Sequence, residues 1–74
     1  MNIPKTHPNW AALIKGELKY PFKVVSASLL LSRLAREYRS EPSPAKLTQA
    51  IDEAIVFFNK FEDLFVDDLK VLFK

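Results

Sequence analysis

Cysteine is absent from this 74-residue chain, which removes disulfides and every thiolate metal site. Glycine occurs once, and no Asn-Gly or Gly-Gly pair offers a tight hairpin turn, which argues against an all-β fold. Long apolar runs are missing too. The most apolar stretch, Val24 to Leu31, holds eight residues, two of them serine, against the ~20 needed to span a bilayer. Pro4, Lys5, His7 and Pro8 stand where an export signal would put an apolar run, so the expected setting is cytoplasmic. Histidine also occurs once, at His7, with no partner for acid–base work in its spacing; it reads as a surface or capping residue. No glycine-rich phosphate loop, nucleophile elbow, zinc pattern or Glu-x-x-His motif is present. The expectation is a protein with no catalytic centre, no cofactor and no metal.

What is present favours helices. Apolar residues make up 49% of the chain, with six Phe, two Tyr and one Trp. A domain this small buries only about 60% of the surface its unfolded chain exposes. Without disulfides, stability must come from helix packing or self-association.

The first 7 residues read as a flexible lead, and residues 8–74 as one helical domain. Pro8 suits the first turn of a helix, and Trp10, Leu13, Ile14 and Leu18 follow at helical spacing. The first helix is therefore placed at 8–18, with Gly16 as the residue that closes it. Pro21 opens a second helix, 21–39. One broad face carries Val24, Ala27, Leu30, Leu31, Leu34, Ala35 and Tyr38, and a narrow opposite strip carries Phe22, Val25 and Leu29. Ser26, Ser28 and Ser32 are small enough to let a neighbour approach. After Ser40-Glu41-Pro42, Ser43 and Pro44 serve as N-cap and first-turn residue of a third helix, 44–74. Leu47, Ile51, Ala54, Phe58, Phe61, Phe65, Leu69 and Leu72 give it a nearly heptad seam. Val56 and Phe57 lie on its flank, better placed for a partner than for the core. The expected architecture is all-α: an antiparallel helical hairpin with a short N-terminal helix, completed into a bundle by self-association.

Geometry adds an expectation. The third helix would run about 45 Å and the second only about 28 Å. Phe65, Leu69, Leu72 and Phe73 would then overhang, and uncovered apolar area of that kind marks an interaction site. A homodimer or higher homo-oligomer follows.

Net charge is only +2, but it is unevenly spread. Residues 1–46 carry eight Lys/Arg and three acids, whereas residues 47–74 carry three Lys and six acids. Arg33, Arg36 and Arg39 form a ridge at the end of the second helix, suited to its dipole and able to fork onto carboxylate or phosphate. Glu37 sits among them, and no recognised nucleic-acid-binding motif accompanies them. The acids at 52/53, 62/63 and 67/68 read as a solvated face, except Asp68, which lies at the edge of the apolar stripe and is placed to pair across an interface. The leading expectation is a non-enzymatic protein–protein interaction module, an adaptor, chaperone-like or regulatory protein. Its candidate surface is Phe22, Val25, Leu29, Arg33, Arg36, Arg39, Phe65, Leu69, Leu72 and Phe73. The alternatives are a small nucleic-acid-associated protein using the arginine ridge, or an accessory subunit of an enzyme complex.

Overall fold

The computed structural model describes residues 3–19 and 27–74, and these contain four helices and no strand: α1 (Pro8–Lys15), α2 (Leu29–Ser40), α3 (Pro44–Lys60) and α4 (Glu62–Leu72). The all-α expectation holds. Phe22 and Val25, and the expected start of the second helix at Pro21, lie outside the described residues.

α1 begins where His7 turns its ring back as an N-cap, its Nδ1 accepting the Asn9 N–H at 3.1 Å, with Pro8 in the first turn. It stops at Lys15, three residues earlier than expected. Gly16 adopts φ 77° and ψ 14°; its N–H donates to the Leu13 carbonyl at 3.3 Å, and the Glu17 N–H donates to Ala12 at 3.0 Å. This pair of bonds is a Schellman ending, which uses the last carbonyls and turns the chain away. The segment before α1, expected to be a loose lead, is tied down from residue 3 onward. The Pro4 carbonyl accepts both the His7 N–H and the Trp10 Nε1–H, each at 3.0 Å, and Ile3 packs against the core.

α2 is capped by Ser28, whose hydroxyl accepts the Leu31 N–H at 3.2 Å. A serine expected only to be small thus defines a helix start. Leu31, Leu34 and Ala35 are buried at i, i+3, i+4 spacing, whereas Leu30, expected on that core face, is largely exposed. α3 starts as the sequence indicates: Ser43, extended at φ −154° and ψ 153°, accepts the Lys46 N–H at 3.2 Å, and Pro44 follows.

The expected unbroken helix 44–74 does not form. Phe61, at φ −116° and ψ 30°, leaves helical geometry between α3 and α4. Thirty-one helical residues would need about 46 Å, and the longest dimension of the molecule is 32 Å. Bending brings Leu69 and Leu72 into the core at 2% and 5% exposure. Burying two leucines contributes about 3–6 kcal/mol. The backbone cost is smaller, because a net hydrogen bond is worth about 1 kcal/mol and several survive the bend. The Phe61 N–H still reaches Phe57 at 3.1 Å, and the Leu64 and Phe65 N–H groups reach the Phe61 carbonyl at 3.0 and 3.3 Å. Glu62 and Asp63 then fall in the first turn of α4, and Lys60 in the last turn of α3, each matched to its helix dipole.

The core gathers Trp10, Leu13 and Ile14 of α1, Leu31, Leu34 and Ala35 of α2, Ala50, Ile51, Ala54 and Phe58 of α3, and Leu69 of α4. α2 and α3 share the largest contact, and α1 lies across both. Two helix ends are closed by side chains from elsewhere in the chain. Arg39 Nε donates to the Ile14 carbonyl at 2.9 Å, and the Asn9 side-chain amide donates to the Leu72 carbonyl.

Candidate interaction surface

Val56, Phe57 and Lys60 follow one another along one side of α3, with Glu53 a turn earlier. Across the bend, Phe61, Leu64 and Phe65 continue the same side onto α4. Together with Ala27 and Ser28 at the start of α2 they line an open groove of ≈ 440 Å³. The aromatic rings brace one another. Phe57 lies 5.0 Å from Phe61 and 6.0 Å from Phe65 between centroids, and Phe65 meets Phe58 edge-on at 6.2 Å. Such pairs favour one arrangement by about 0.5–1.5 kcal/mol beyond their area, so the wall of the groove is built rather than loose. Phe57, Phe61 and Phe65 are half-buried, while Val56 is 59% and Leu64 74% exposed. An apolar face with a braced aromatic wall and two exposed aliphatic rims is a docking geometry.

Polar groups at this groove are few. Glu53 makes no ion pair with any described residue, and the Lys60 ammonium lies 5.6 Å from the centre of the Phe61 ring. Asp52, by contrast, is engaged by Lys5 at 2.7 Å.

The arginine ridge is divided. Arg39 remains exposed but reaches across to the end of α1, where its guanidinium packs over Gly16. Arg33 lies 3.8 Å from Glu37, and Lys46 bridges to Glu41 at 3.1 Å. Arg33, Arg36 and Lys46 share a shallow cleft of ≈ 370 Å³ with those two carboxylates and Ser40. Three cations offset by two acids leave little net field for a phosphate backbone.

The remaining sequence-predicted surface residues are scattered. Leu29 is 86% exposed at the first position of α2. Phe65 belongs to the groove. Leu69 and Leu72 are core residues, and Phe73 is half-buried with its ring 4.4 Å from Trp10 and 5.1 Å from His7. The expected overhang of these three is therefore corrected: once the chain bends at Phe61, Leu69 and Leu72 are buried and Phe73 meets the rings of Trp10 and His7. In the sequence Val56 and Phe57 read as partner-facing, whereas Phe61 falls on the expected seam. The missing information was the bend. His7 is used as a cap, and among the described residues no three His, Asp or Glu side chains gather as a metal site would require. No described helix is long and apolar enough to cross a membrane. Compared with known protein families, curated proteins and solved structures, the chain finds no match in any of the three.

Proposed function

We propose that this chain is a non-enzymatic protein–protein interaction module that takes a helix of a partner into the groove along α3 and α4. The observation that carries the reading is the braced aromatic wall of Phe57, Phe61 and Phe65 beside the exposed side chains of Val56 and Leu64. Helix-in-groove recognition needs such a wall, because a partner helix presents apolar residues at i, i+3 or i+4, and i+7. In this reading α2 and α3 form the antiparallel scaffold, and the bound helix completes the bundle. Burying Val56 and Leu64 supplies the apolar driving force, about 1.5–3 kcal/mol for each side chain fully covered. Glu53 and Lys60, opposite in sign and about 10 Å apart along the helix, set the direction in which the partner lies. A cytoplasmic setting belongs to the same proposal, supported by the cysteine-free composition.

The nucleic-acid alternative is weakened by the diversion of Arg39 to Ile14 and by the carboxylates of Glu37 and Glu41 beside the other cations. A photo-crosslinking residue at Val56, expressed in the native cell, tests the groove directly. Adducts with protein are expected from position 56 and not from Arg36. Absence of adducts at 56 overturns the reading.

A further inference from the structure

We infer that the helix entering the groove is α3 of a second copy of this chain, running antiparallel about a two-fold axis that passes between Val56 and Phe57. The inference rests on the interaction-module reading and names its partner. It starts from the arrangement of the four α3 residues that line the groove: Glu53, Val56, Phe57 and Lys60. Glu53 precedes Val56 by three residues, and Lys60 follows Phe57 by three. The stripe is therefore symmetric in position about its centre and antisymmetric in charge. A two-fold axis at that centre sets Val56 against Phe57 of the other copy, and Glu53 against its Lys60, twice over. A parallel pairing would set Glu53 against Glu53 and Lys60 against Lys60.

The placement tolerates the usual range of helix crossing angles. Each charge sits about 5 Å from the axis along the helix, so a crossing of about 20° to 50° displaces opposing charges by only about 2–4 Å. A lysine stem spans that. Both groups are available: neither Glu53 nor Lys60 has an ion-pair partner among the described residues, whereas the adjacent Asp52 is held by Lys5 at 2.7 Å. A surface that is self-complementary in shape position and in charge is the requirement of an isologous dimer. The contact is centred on a flank exposed in the single chain, and so it leaves the core, including Leu69 and Leu72, intact.

The test uses the purified full chain and light scattering after size exclusion. A dimer is expected at about 100 µM, a concentration that reveals even a weak association. Val56→Asp, at an exposed position, is expected to give a monomer of unchanged helicity. Glu53→Lys alone and Lys60→Glu alone each place like charges in contact at two points, and each is expected to weaken the dimer about fivefold at low salt. Mixing those two single variants restores complementarity at both points, so a heterodimer of wild-type affinity is expected; the double swap E53K/K60E restores the homodimer likewise. A wild-type monomer at that concentration overturns the inference. So does a dimer indifferent to both single reversals, which would place the interface elsewhere. Loss of helicity in Val56→Asp also overturns it, since the face would then be covered from within the chain. If the purified chain is monomeric while position 56 still crosslinks to another protein in cells, the module reading stands and the second-copy inference fails; if neither occurs, both fail.

Discussion

Arg39 closes the C-terminal end of α1 from the last turn of α2, its Nε donating to the Ile14 carbonyl at 2.9 Å while its guanidinium covers Gly16. One side chain thus serves two helix ends: its charge suits the dipole of its own helix and satisfies a carbonyl of the other. Arg39→Ala is expected to destabilise the fold by about 1 kcal/mol, the net value of a typical hydrogen bond, because Arg39 is exposed and its charge is screened. Gly16→Ala should cost about 1 kcal/mol from the left-handed backbone alone. The new Cβ would also stand 3.3 Å from the Arg39 guanidinium carbon, so the Arg39 side chain must shift by a few tenths of an ångström. Urea unfolding followed by circular dichroism measures both. No loss in either variant would mean that this joint contributes nothing.

His7→Ala removes the cap on the Asn9 N–H and the edge contact with Phe73. The expected loss is about 1 kcal/mol, as for other N-caps. His7→Asn keeps an acceptor at that point and should recover about half or more of the difference. Thermal midpoints settle it, since about 1 kcal/mol shifts a domain of this size by roughly 4–8 °C.

Leu69 and Leu72 distinguish the folded-back chain from an overhanging helix. Because both are core residues here, Leu69→Ala is expected to lower the stability of the single chain by about 2–5 kcal/mol. A domain this small has only about 5 kcal/mol of stability in all, so substantial unfolding follows. Trp10→Ala, at the centre of the core between Phe58 and Phe73, should unfold the chain outright. If Leu69→Ala left the chain folded and merely dissociated an oligomer, the bend at Phe61 would be wrong.

Arg33, Arg36 and Lys46 give a prediction about nucleic acid. With Glu37 and Glu41 in the same cleft, binding of a labelled DNA duplex is expected to be undetectable at roughly 150 mM salt, where exposed charges are screened beyond about 8 Å. Fluorescence anisotropy that still reports binding there, and loses it in Arg36→Ala, would revive the nucleic-acid reading.

The boundaries that were legible in the sequence are those written in local chemistry. Pro8, Gly16, Ser43 and Pro44 each mark a helix end because their backbone or hydroxyl can do little else. The bend at Phe61 was not legible from periodicity, because apolar residues continue at helical spacing through it and nothing there breaks a helix by itself. It is favoured by the tertiary burial of Leu69 and Leu72. Even so, a local trace exists. Lys60 followed by Glu62 and Asp63 is the charge order of one helix ending and another beginning; reading those acids only as part of a solvated face hides it. The same oversight displaced the candidate surface, because treating the helix as straight turned core leucines into an overhang and left the groove beside Phe61 unseen. Ser28 was missed for a simpler reason: small and polar, it fits a close helix contact as well as a cap.

The bend has a mechanical consequence. One wall of the groove stands on α3 and the other, Leu64 and Phe65, on α4, and a single non-helical residue joins the two. α4 is held at its angle from two places: at the groove by Phe65 against Phe57 and Phe58, and at its far end by the Asn9 amide on the Leu72 carbonyl and the Trp10 ring against Phe73. The width of the groove is thus tied in part to the contact of α1 with the far end of α4. An occupant whose affinity depends on that width is therefore linked to the α1–α4 contact, and each biases the other by the same factor.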